Sequence, residues 1–109
     1  MASGSWALDP QQFMAVARTI AFEVAQENGI LLPPRALGAV DTIVRESMPR
    51  MERRFQEGKL DFAGYARLVR LAAEGAVKEF RRRGIRSVDG PEEVLRTVRP
   101  MLMVFPFDC

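Results

Sequence analysis

Proline and glycine divide this chain into four helix-length segments, and that punctuation constrains the fold more than any other feature. Asp9-Pro10, Pro33-Pro34, Asp61 and Asp89-Gly90-Pro91 stand where helices begin. Asn28-Gly29, Gly58 and Gly84 stand where helices end. Proline fits the first helical position because its missing N–H has no intrahelical partner there anyway. Glycine just past a helix takes the left-handed conformation that closes the last turn.

Apolar residues recur between these marks at helical spacing. In the first segment Asp9 is the N-cap, Gln12 completes a capping-box spacing, and Leu8 and Phe13 occupy the staple positions. The stripe then runs Phe13, Val16, Ala17, Ile20, Val24. The second segment carries Leu37, Val40, Val44, Met48, Met51 and Phe55, a near-heptad seam. Pro49 lies inside that seam, where it removes a backbone bond, so a kink or a break is expected near residues 45–49. The third segment starts at Asp61 and aligns Phe62, Tyr65, Val69, Ala72, Ala76 and Phe80. The fourth covers about residues 91–99, with Val94, Leu95 and Val98 apolar and Pro100 as its expected end. No strand pattern precedes the C-terminal tail. The expected fold is all-α: a small bundle of four helices, or five if Pro49 splits the second, followed by an apolar tail. Residues 1–8 are expected to be a flexible leader outside the fold, and residues 9–109 a single helical domain.

The residue inventory excludes several kinds of chemistry. There is no histidine and one cysteine, Cys109. Neither a Ser-His-Asp nor a Cys-His arrangement can be built, and one chain cannot supply a structural zinc site. Glu23 and Glu27 are one turn apart but lack the Glu-x-x-His that di-metal bundles add. No phosphate-binding or dinucleotide-binding glycine pattern is present. The expectation is a protein that is not an enzyme and uses no cofactor or metal. No apolar run is long enough to span a bilayer, and the N-terminus lacks the pattern of a signal peptide. No membrane association is expected, and the expected location is cytoplasmic.

Charge is unevenly distributed. Residues 31–87 carry 13 basic and 7 acidic side chains, whereas both ends are net acidic. Arg53, Arg54, Arg81, Arg82, Arg83 and Arg86 are candidate polyanion contacts. A structural reading competes with this. Cations in a last helical turn offset the negative end of the helix dipole, and Glu74–Lys78 has the spacing of a helical ion pair. No row of aromatic residues interleaves the arginines to stack single-stranded bases.

The tail Met-Leu-Met-Val-Phe-Pro-Phe, residues 101–107, is apolar where terminal segments are ordinarily polar. It is expected to dock in a groove between helices or across a subunit boundary. Candidate partner-binding residues are Leu102, Val104, Phe105 and Phe107, with Met48, Met51 and Phe55. The apolar surplus makes a non-enzymatic protein–protein interaction module the first functional expectation, as a homodimer or a subunit of a larger assembly. The alternative is a small nucleic-acid-binding accessory protein that uses the basic middle segment.

Overall fold

The computed structural model describes residues 9–104 and is all-helical. The helices are α1 (Pro10–Glu27), α2 (Pro34–Gln56), α3 (Phe62–Arg82) and α4 (Pro91–Val104). The expected leader at residues 1–8, Phe105 and Phe107, and the side chain of Val104 lie outside the described residues.

The local signals act as their chemistry dictates. The Asp9 carboxylate accepts the Gln11 N–H at 3.0 Å, and the Asp61 carboxylate accepts the Gly64 N–H at 2.7 Å. Each supplies a partner to an N–H that the first turn of a helix leaves unpaired. At the end of α1, Gly29 has φ +72°, and Ile30 N–H reaches back to the Ala25 carbonyl at 2.8 Å. Gly84 (φ +77°) does the same for α3, with Ile85 N–H on the Phe80 carbonyl at 2.9 Å. Both chain reversals place an isoleucine back against the helix it has just left.

The break allowed at Pro49 and the end expected at Pro100 are corrected. α2 is a single helical run through Pro49, so the described residues hold four helices and not five. α4 does not end at Pro100 but runs through it to Val104. Both prolines are exposed, and the carbonyls they leave unpaired belong to Arg45 and Arg96, which are exposed as well. Water can take the freed carbonyls, which removes much of the cost an interior proline carries.

The helices form a four-sided ring. α1 packs against α2 and α3, and α4 packs against the same two from the opposite side. α2 and α3 make no close backbone approach to each other, nor do α1 and α4, so the diagonals enclose a central space. Successive helices reverse direction, which puts the 28–33 and 83–90 connections at one end. A short parallel bridge joins them there: Leu31 N–H donates to the Arg86 carbonyl at 2.7 Å, and Val88 N–H to the Leu31 carbonyl at 3.0 Å. Ile30 and Leu32 then point inward while Leu31 is 63% exposed, a strand-like alternation in a helical protein.

Two apolar clusters make the core. At the connection end, Val24, Ile30, Leu32, Ala36, Phe80, Val88, Val94 and Val98 pack together. At the opposite end, Phe13, Met14, Val44, Met48, Met51 and Tyr65 pack together. The Phe13 ring centre lies 4.4 Å from that of Tyr65, 5.0 Å from Phe62 and 5.6 Å from Phe55. The Tyr65 phenol donates to the Phe13 carbonyl at 2.8 Å. That bond ties α3 to α1 inside the core and satisfies a hydroxyl that burial would otherwise leave unpaired.

A candidate docking cleft along the bundle axis

The central space is an apolar cleft of about 120 Å³. Ala17, Ala21 and Ala25 of α1 form its floor, Val40, Ile43 and Val44 of α2 one wall, and Leu68, Val69 and Ala72 of α3 the other. Its origin lies in residue size. Alanines four apart on α1 face alanines on α3, so the helices can approach while their side chains fall short of the centre. An unfilled space of this volume forgoes about 3 kcal/mol of packing, at about 24 cal/mol per Å³. Ser47 is the only side chain of the lining with a hydroxyl besides Tyr65, and its Oγ is committed to the Ile43 carbonyl at 2.9 Å. The lining therefore suits an apolar occupant.

α4 closes part of this cleft. Its Leu102 lines it, and its Met101 crosses α3 at Gly75, where an added Cβ would stand 2.5 Å from the Met101 methyl. α4 has 14 residues against the 23 of α2 and 21 of α3. The part of the cleft between the later turns of α2 and the earlier turns of α3 has no helix over it among the described residues. Leu68 and Val69 are only half-buried there, and Leu71 at the α3 rim is 50% exposed.

The candidate partner-binding residues divide between core and cleft. Met48 and Met51 are buried at 7% and 2% exposure, and Met51 lines the cleft from within. Phe55 is half-buried against Phe13. The seam of α2 thus faces its own bundle. Leu102 is half-buried on the cleft. Sequence periodicity placed Ala17 and Ala72 on the apolar stripes but gave no sign that their smallness, with that of Ala21, leaves a cleft.

The arginines do not form one surface. Arg53 and Arg54 lie in the last turns of α2, beside the 57–61 turn, whereas Arg81, Arg82, Arg83 and Arg86 lie at the far end of α3. A 21-residue helix, about 30 Å long, separates the groups. Several are engaged within the fold. Glu79 binds both Arg82 and Arg83, and Arg83 also reaches Glu93 of α4 at 3.1 Å. The hydrogen bond from Arg82, with Arg83 adding to it, holds the Glu79 carboxyl below the usual carboxylate range. Arg81 approaches the Asn28 side-chain carbonyl at 3.4 Å. Glu74 pairs with Arg70 at 3.4 Å and not with Lys78, because Arg70 also meets Glu27 of α1 at 2.9 Å and is held between the two carboxylates. Arg18–Asp41 and Arg99–Glu46, each at 2.6 Å, fasten α1 and α4 to α2.

Among the described residues no three acidic or cysteine side chains converge on a metal position, and no helix is long and apolar enough to cross a membrane. No protein-family model, curated protein or solved structure matches this chain.

Proposed function

We propose that this chain is a non-enzymatic protein–protein interaction module, acting as a homodimer or as a subunit of a larger assembly, with the axial cleft as its docking site. The observation that carries the reading is the cleft itself. It is apolar, flanked by half-buried Ile43 and Leu68, and roofed by α4 over only part of its length. An amphipathic segment laid between two helices is a common way for such a groove to be used. A second copy of the chain, which carries the same surplus of apolar residues, is the first partner to test.

The rival reading, a nucleic-acid-binding accessory protein, draws less support. Its arginines are split between the last turns of α2 and the far end of α3, and Arg82 and Arg83 are paired to carboxylates. Salt separates the two readings. Apolar docking holds with little salt dependence, whereas polyanion binding weakens steeply as counterions compete. Sedimentation equilibrium at low and high salt, over a wide concentration range, is the test. The proposal expects a concentration-dependent dimer that salt does not dissolve. A monomer at every concentration contradicts the homodimer, and tight, salt-sensitive binding to RNA or DNA contradicts the preferred reading as a whole.

A further inference from the structure

We propose that the cleft binds one free medium-chain carboxylate, an unbranched hydrocarbon chain of about a dozen carbons lying along the bundle axis with its anionic head at the Arg67 rim. This goes beyond the protein-docking reading and does not depend on it.

Shape is the first observation. The lining runs from Val40 to Met51 on α2, about 16 Å of helix, and from Tyr65 to Phe80 on α3, about 22 Å. A volume of about 120 Å³ drawn out over that length is a channel and not a chamber. At about 10–15 Å³ for each water-sized group, it holds about eight to twelve of them in a file. An extended hydrocarbon chain advances about 1.3 Å per carbon, given C–C bonds of about 1.5 Å, so twelve carbons span about 14 Å. From Ala76 back to Arg67, α3 covers about the same 14 Å.

The second observation is that the channel is dry. The two hydroxyls of the described lining are taken, Ser47 by the Ile43 carbonyl and Tyr65 by the Phe13 carbonyl. A water inside would lack the hydrogen-bond partners it needs. A peptide backbone pushed inside would leave its N–H groups unpaired, so a docked protein segment reaches the mouth with side chains only, whereas methylenes need no partner. Charge is the third observation. At the connection end Ile30 and Phe80 are buried, which closes the channel there to a polar group. The channel opens beside Leu71, and Arg67 lies one turn before it on the same side of α3. Arg67 is exposed and makes no ion pair among the described residues, whereas Arg70 is held by Glu27 and Glu74. A carboxylate leaving the channel there meets a cation that no carboxylate of the described fold occupies.

Calorimetric titration of the full chain with dodecanoate below its micelle concentration is the test, with methyl NMR on the same sample. The expected result is saturation at one dodecanoate per chain, a negative heat-capacity change, and shifts of the Ala21, Val69 and Ala72 methyl signals. Ala21→Leu puts side-chain volume into the channel and, with its helical circular dichroism intact, should weaken binding by about tenfold or more. Arg67→Gln should weaken dodecanoate by about twofold to fivefold and leave dodecanol unchanged. Three results overturn the proposal: no saturable binding, binding that Ala21→Leu leaves unchanged, or an affinity that keeps climbing from dodecanoate to hexadecanoate, as adsorption on an apolar surface would give. If Ala21→Leu does not fold, wild-type nuclear Overhauser contacts between the dodecanoate methylenes and the Ala21 and Val69 methyls decide instead, and their absence at saturation overturns the proposal. Sedimentation without dodecanoate tests the docking reading separately. Association without dodecanoate binding removes the ligand and keeps the docking surface, and binding without association does the reverse.

Discussion

Tyr65 reports on the aromatic end of the core through its proton. It is the only tyrosine in the chain, it is 2% exposed, and its hydroxyl is bound to the Phe13 carbonyl. Burial holds its phenol above the usual range, since the phenolate would be stranded among rings. The folded-state value therefore exceeds the unfolded value of about 10. Stability from keeping this phenol neutral is fully present below about pH 10 and is lost as the pH rises toward the folded value. The loss approaches about 1.4 kcal/mol per pH unit, the cost of one proton. Tyr65→Phe removes that slope together with one buried hydrogen bond. The Phe13 carbonyl, inside α1, keeps its helical donor, so the neutral-pH cost is about 0.5–1.5 kcal/mol. With an unfolding entropy of about 2 cal/mol/K per residue, a domain of about 100 residues loses about 5 °C per kcal/mol. The assay is thermal melting of both proteins from neutral to strongly alkaline pH, with phenolate absorbance followed alongside circular dichroism. Wild-type phenolate should form only as helicity is lost, and the gap between the two melting temperatures should close or reverse above about pH 10. Phenolate forming near pH 10 in a fully helical protein would refute the burial on which this reasoning stands.

Thr97 of α4 is 4% exposed, and its hydroxyl has no hydrogen-bond partner. Thr97→Val, which keeps the shape and removes the unpaired group, should raise stability by about 1–2 kcal/mol in denaturant unfolding; a loss of similar size would mean that the hydroxyl has a partner. Glu46→Gln breaks the Arg99 pair, whose side chains are about half exposed, and should lower stability only slightly, and less still at high salt, by the same assay.

The elements legible in the sequence were those whose causes are local. Asp9, Asp61, Gly29 and Gly84 act within one turn of their own position, and each does what its type and spacing foretold. Pro100 misled because its effect depends on which side of α4 it occupies. On the solvent side, with the exposed Arg96 carbonyl behind it, it does not end a helix. Pro49, beside the buried Met48 but itself exposed, repeats the lesson in α2. The Leu31–Ser87 bridge was invisible because it joins two loops 56 positions apart and rests on one pair of backbone bonds. The cleft escaped for a different reason: periodicity put Ala17 and Ala72 on the inner faces, but whether side chains that small meet across the bundle depends on the spacing of helices distant in sequence.

If the space those alanines leave is a docking site and not a packing defect, filling it must abolish association. Ala72→Leu tests it most directly, because it adds apolar volume at the α3 wall of the cleft. Two readings from one sample should change in opposite senses. The melting temperature rises, by an amount bounded by the roughly 3 kcal/mol that filling about 120 Å³ can return, and the association seen in sedimentation equilibrium is lost. A folded Ala72→Leu protein that associates as strongly as wild type would contradict it.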